Sequence, residues 1–201
     1  MIVGLKNPGP RYAATRHNVG ADFVERLAHR FNVELKNETR FKGLLGRGNL
    51  CGHDVRLLVP TTFMNLSGES VAAVARFFRI ASAEILVVHD EMAFAPGVIR
   101  IKQGGGANGH NGLRNIIQHL GNDAGFVRLR IGVGHPGNPK DVTRYLTGVD
   151  LPAAERKLIE SAYDISDEVL QSLLSGDLQK AMNLLHAPNP AGTASPPPPQ
   201  T

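Results

Sequence analysis

The segment Asn7-Pro8-Gly9-Pro10-Arg11-Tyr12-Ala13-Ala14-Thr15-Arg16-His17-Asn18 gathers two Asn, two Arg, a Tyr and a His into a stretch that Pro and Gly keep from starting as a helix. It follows the apolar run Ile2-Val3-Gly4-Leu5 and leads into a helical pattern. Loops held between a strand and a helix are where reactive side chains are commonly displayed. His17 stands out, because imidazole titrates near neutral pH and can take and return a proton. A histidine near a helix start is more often an ordinary polar residue, so a chemical role requires partners from other segments.

Such partners exist. Asp90 ends an apolar run, Ile85-Leu86-Val87-Val88, that continues into His89-Asp90-Glu91. A carboxylate that accepts a hydrogen bond from one imidazole nitrogen fixes the tautomer, leaving the other nitrogen to draw a proton from water. Asn7, Asn65 and Asn111 come from three separate loops. An amide offers both donor and acceptor, so it can place a water or a carbonyl without changing charge.

Other chemistries find little support. A Walker phosphate loop is excluded, since no Gly-Lys pair occurs, and there is no Gly-x-Ser-x-Gly elbow or His-Glu-x-x-His helix. Gly104 to Gly109 matches G-x-G-x-x-G, but the strand before it carries Arg100 and Lys102 and no βαβ repeat surrounds it. These glycines read better as a close-approach loop whose amides meet an anion or a substrate backbone. His89-Asp90-Glu91 could join His17 or His110 around a metal, but no ligand spacing singles out a set, and no metal or other cofactor is expected. Cys51 is the sole cysteine, which excludes an internal disulfide and fits a reducing cytoplasm.

The elements that must hold these residues follow from periodicity. Residues 2–5 read as a buried strand, 19–31 as a helix, and 42–50 with 53–59 as a hairpin ended by Pro60. Ser67 is expected to cap a helix through Phe78. Residues 85–88 read as a central strand, 98–103 as a half-exposed one, 113–120 as a helix and 126–134 as another strand. A short helix over 140–148, one long helix from Pro152 through Leu174 and a last helix over 177–186 complete the pattern. Strands alternating with helices, plus a hairpin, imply an α/β fold: a single domain with a mixed twisted β-sheet flanked by helices. The Pro-rich stretch 188–201 lacks charge and aromatics and is expected to be disordered.

Charge is unevenly distributed. Residues 1–149 carry 19 Lys/Arg against 11 Asp/Glu, whereas residues 150–201 carry 3 against 7. A basic body suits a polyanionic ligand. There is no apolar run near 18 residues, so no membrane span is expected, and the N-terminus lacks the pattern of a secretory signal.

Taken together, these stretches closely resemble the bacterial peptidyl-tRNA hydrolase family. The resemblance rests on Val3-Gly4-Leu5 with Asn7-Pro8-Gly9, Tyr12, Thr15-Arg16-His17-Asn18, Pro60 to Gly68, His89-Asp90-Glu91, Gly104-Gly105-Gly106, Gly109 to Leu113, and Arg128 to Pro136. It covers residues 1–187, which are expected to form the catalytic domain. It implies a monomer without metal that hydrolyses the ester between a peptide's C-terminus and the 3′-terminal ribose of tRNA, freeing tRNA for translation. By motif, His17 would be the general base and Asp90 its orienting carboxylate. Asn7, Tyr12, Met64, Asn65, His110 and Asn111 would contact substrate, and Lys102 and Arg130 would meet tRNA phosphates. Asn108 stands where the family commonly has Gly, and Met92-Ala93-Phe94-Ala95 lacks the more usual acidic residue. An RNA-binding module without catalysis and a nucleotide-dependent oxidoreductase are the rival readings.

Overall fold

The computed structural model describes residues 1–186; the Pro-rich stretch 188–201 lies outside them. In chain order the elements are β1 (Ile2–Gly4), α1 (Val19–Arg30), β2 (Lys36–Glu38), β3 (Gly43–Leu50), β4 (His53–Pro60), α2 (Ser67–Phe78), β5 (Leu86–Glu91), β6 (Ile99–Gln103), α3 (Asn111–His119), β7 (Val127–Gly132), α4 (Val142–Thr147), α5 (Ala153–Ala162), α6 (Asp167–Leu174) and α7 (Leu178–His186). The strands form one mixed seven-stranded sheet in the order β2-β3-β4-β1-β5-β7-β6. β4, β1, β5 and β7 run parallel in its centre, while β2, β3 and β6 are antiparallel to their neighbours.

Side chains alternate across each strand, so consecutive apolar residues feed opposite layers. Ile2, Leu57, Val88, Leu129 and Ile131 pack under α1, α5, α6 and α7, whereas Val3, Leu58, Val87 and Phe126 pack under α2 and α3. The two outer strands break this symmetry. Ile99, Ile101, Leu129 and Ile131 face the first layer, which leaves Arg100, Lys102, Arg128 and Arg130 to the other face.

α1 is seated unusually close to the sheet. A Cβ on Gly20 would lie 2.2 Å from the Val88 carbonyl oxygen, and one on Gly4 would lie 2.4 Å from the Gly20 carbonyl oxygen. Neither contact admits a side chain. The backbone bonds Ala21 N–H to Leu5 O (3.1 Å) and Leu5 N–H to Val88 O (3.2 Å) hold the same junction.

Two expectations are corrected and one strand is added. The predicted helix from Pro152 to Leu174 is two helices; the chain breaks at Tyr163–Ser166, and the Ser166 hydroxyl caps α6 by accepting Val169 N–H at 3.3 Å. Ser67 lies inside α2 and donates its hydroxyl to the Met64 carbonyl at 2.9 Å, with Leu66 in the cap position. β2 was not anticipated: Lys36-Asn37-Glu38 has no apolar alternation and is held as an edge strand by its pairing with β3.

Candidate active site

The loop that follows β1 is closed at its ends by one residue. Asn18 Oδ1 accepts Asn7 N–H at 2.9 Å, and Asn18 Nδ2 donates to the Asn7 carbonyl at 3.1 Å. Gly9 turns the chain at φ 98°, a region that favours glycine. The side chain of Asn7 reaches the neighbouring loop, where its Oδ1 accepts Met64 N–H at 2.8 Å. That bond fixes the amide's orientation and leaves its NH2 group uncommitted among the described residues.

His17 lies in the 3-10 turn just before α1, and Asp90 is the penultimate residue of strand β5. His17 Nδ1 is 2.8 Å from Asp90 Oδ1, with both side chains buried. The same carboxylate oxygen lies 3.1 Å from His110 Nε2. The other nitrogen of His110, Nδ1, accepts the Gly112 and Leu113 amides at 3.1 and 3.3 Å and so caps α3. A neutral imidazole has one donor and one acceptor, so His110 must present Nε2–H to Asp90. Asp90 therefore receives two imidazole N–H groups, and His17 Nε2 is left as an unprotonated acceptor. The family resemblance implies a substrate contact for His110; the structure makes it the second partner of Asp90.

Electrostatics follow from this sharing. Burial works against ionisation of Asp90, but the two imidazoles outweigh it and hold the carboxyl well below the usual carboxylate range. For His17, burial opposes the charged ring, yet the charge and hydrogen bond of Asp90 prevail and raise its pKa above the ordinary value. His89 is different. Burial, then His110, pushes its pKa down to about 3. Its Nδ1 sits 2.7 Å from the Asp90 carbonyl, its ring stands edge-on to His110 at 5.0 Å, and its buried Nε2 has no partner. It is a neutral wall behind His110.

A cavity of about 270 Å³ opens beside the pair. Its lining includes His17, His110, Asn111, Lys102, Arg130 and Leu146 of α4. Arg130 is already engaged: its Nε and Nη2 donate to Glu91 Oε2 at 3.0 and 2.8 Å, and its guanidinium lies over Phe94 at 4.6 Å. Arg128 is buried, and its guanidinium donates to the Gly105 and Gly106 carbonyls, pinning the glycine loop to β7. Asn108 takes φ 46° and Gly109 φ 82°. Asn is one of the few side chains that tolerates this region, so its presence at position 108 keeps the turn intact. Phe94, in the segment without the usual acidic residue, instead supplies the ring under Arg130.

Asn7, Tyr12, Met64 and Asn65 are not among the residues that line this cavity. Met64 is buried against the start of α3, and a Cβ on Gly112 would meet its sulfur at 2.6 Å. Asn65 is exposed, and Tyr12 is half-buried with its hydroxyl accepting from Arg11. Asn111 opens α3, and its Oδ1 accepts Arg114 Nη1 at 3.0 Å. His17, Asp90 and His110 offer ligand-type atoms within 4.8 Å of one another. Both imidazole nitrogens that face Asp90 carry hydrogens in the tautomers above, so the arrangement is built to handle protons.

Sequence reasoning missed Arg16 as well as Asn18. Arg16 is buried, pairs with Glu155 at 2.7 Å and lies over the Tyr145 ring at 3.9 Å, which ties the His17 turn to α4 and α5. The available signal was three consecutive polar residues, Arg16-His17-Asn18, at the start of an apolar helix.

The sequence model of the family described as peptidyl-tRNA hydrolase matches residues 1–193. The chain belongs to the peptidyl-tRNA hydrolase family. It is 55% identical over 191 residues to the peptidyl-tRNA hydrolase of Pectobacterium carotovorum, covering 95% of this chain and 97% of that one. It is 56% identical over 190 residues to that of Sodalis glossinidius, covering 94% and 97%. The crystal structure of peptidyl-tRNA hydrolase from Acinetobacter baumannii superposes with a TM-score of 0.89 at 48% identity, covering 94% of this chain and 95% of that one. The chain is thus an enzyme, a hydrolase whose reaction releases tRNA from peptidyl-tRNA. Among the described residues no helix is long and apolar enough to cross a membrane.

Proposed function

We propose that the ester between the peptide, or an N-blocked amino acid, and the 3′-terminal ribose of tRNA is cleaved by direct attack of water, with His17 as general base. His17 Nε2 takes a proton as the water oxygen bonds to the ester carbon. The imidazolium that forms is stabilised by Asp90 and returns its proton to the departing ribose oxygen. An ester is activated compared with an amide, so no covalent nucleophile is required. General-base catalysis contributes roughly 10²–10⁴-fold, and one oxyanion donor on the order of 10²–10³.

The observation that carries this reading is the 2.8 Å contact from His17 Nδ1 to an Asp90 oxygen that His110 also holds. Asn7 and Asn111 keep amide NH2 groups for the water and the oxyanion, and Asn65, with Met64 and Tyr12, takes the acyl side. Lys102 and Arg130 meet phosphates, contacts that position a nucleic acid without reading its sequence. The enzyme works as a monomer in the cytoplasm, with residues 1–187 as the catalytic unit and no metal.

The test is release of the blocked amino acid from N-acetylated aminoacyl-tRNA. His17→Ala is expected to abolish release while tRNA binding survives. A near-normal rate in that variant would remove His17 as the base, and loss of wild-type release with a chelator would sink the metal-free mechanism.

A further inference from the structure

Five large apolar side chains are exposed among the described residues, and three of them, Phe63, Leu66 and Phe77, lie on the segment formed by α2 and the loop before it. Single exposed apolar residues are ordinary, whereas an aligned set marks a contact surface. At 3.6 residues per turn, Leu66, Ala73 and Phe77 fall within roughly 40° of one another on the helix surface. They form a row about 16 Å long. Its near end adjoins Met64 and Asn65. Its far end is built up: Phe77 stands edge-on to Phe41 at 5.4 Å and to Phe78 at 4.8 Å, and the Arg40 guanidinium lies over Phe41 and Phe77 at 4.4 and 4.5 Å. Phe77 nevertheless remains 57% exposed.

The two ends of the active site differ in kind. On the β6–β7 side Lys102 and Arg130 make a basic strip suited to phosphates, and on the β4–α2 side Phe63, Leu66 and Phe77 expose apolar side chains. The scissile ester at His17 lies between them. Its alcohol half carries the phosphates, so its acyl half must leave in the other direction, past Asn65. We infer that the row Leu66–Ala73–Phe77 is a docking track for the peptide of the substrate, taking apolar side chains of an extended segment upstream of the residue held at Asn65. This inference rests on the function proposed above. At about 3.3 Å per residue, an extended chain covers the row with about five residues. A single blocked amino acid stops short of Phe77; a peptide of six or more reaches it.

The experiment compares three tRNA substrates: one carrying N-acetyl-amino acid, one an N-blocked apolar hexapeptide and one an N-blocked Gly/Ser hexapeptide. The wild type is expected to have a lower KM for the apolar hexapeptide than for the other two. Phe77→Ser is expected to raise that KM about tenfold, the equivalent of roughly 1.4 kcal/mol, with kcat and the N-acetyl substrate unchanged. Ala73→Lys, half-buried on the same row, is expected to act likewise. Equal KM for all three substrates in the wild type, or equal effects of the variants on all three, would overturn the track. So would a concentration-dependent dimer in sedimentation that Phe77→Ser dissolves, since the row would then be covered by a second copy. Absence of release from every substrate would instead defeat the proposed reaction.

Discussion

Replacing Asp90 with Asn preserves shape and removes charge. In the transition state His17 becomes an imidazolium whose Nδ1 lies 2.8 Å from the Asp90 oxygen, with side chains only 9% and 2% exposed. Water screens such a pair weakly. With charge centres about 4 Å apart and an effective dielectric of about 20, the attraction is worth about 4 kcal/mol, or about 10³-fold in rate. An Asn can also turn its NH2 toward Nδ1, which moves the ring proton to Nε2 and removes the base altogether, so the loss is at least of this order. The pH profile supplies a second readout. The base must be neutral, and Asp90 raises the pKa of His17; the acid limb of kcat/KM in the wild type therefore lies above the ordinary histidine value. In Asp90→Asn it is expected to move to lower pH while the plateau falls. Initial rates of release from N-acetylated aminoacyl-tRNA across pH, with circular dichroism as a check on folding, measure both. A loss smaller than about tenfold, or an acid limb that stays in place, would refute the coupling of the two residues.

Three further outcomes are expected. The folded-state pKa of His89 is depressed to about 3 from an ordinary 6.5, so the unfolded chain binds a proton that the folded one refuses. Its contribution to stability is present above pH 6.5 and is lost as pH falls from there toward 3, by about 1.4 kcal/mol per unit; His89→Gln should flatten that slope in urea midpoints, and an unchanged slope would assign it to other groups. Glu91→Gln frees Arg130 from its carboxylate, so tRNA affinity at low salt should rise and the plot of log K against log salt should steepen by about one; unchanged binding would place Arg130 off the tRNA. Lys102→Ala should flatten the same plot by about one, and an unaltered slope would exclude a phosphate contact.

The sheet and most helices were legible in the sequence because their signal is burial. Ile2-Val3, Leu57-Leu58 and Leu86-Val87-Val88 are apolar on both faces since both faces are covered. The half-exposed alternation of residues 98–103 likewise marks the strand whose charged face borders the cavity. β2 was invisible because Lys36-Asn37-Glu38 is held by backbone pairing alone. The break at Tyr163–Ser166 was hidden because apolar spacing runs through it while a serine cap acts on the backbone. Within the site, His17 and Asp90 could be paired by chemical type. The sharing of Asp90 by His110, the Glu91–Arg130 pair and the Arg128 grip on the glycine loop depend on side-chain direction between distant segments, which no spacing rule encodes.

The seat of α1 on the sheet has a consequence for how this enzyme tolerates change. Gly20, three residues after His17, touches the carbonyl of Val88, two residues before Asp90, so the separation of base and carboxylate is gauged by a contact between backbones. No rotamer can adjust to absorb an error there. Drift elsewhere in the chain can be accommodated by repacking, but at this junction folding accuracy and catalytic accuracy are one quantity, and a variant that loosens it should lose turnover while its secondary structure is still intact.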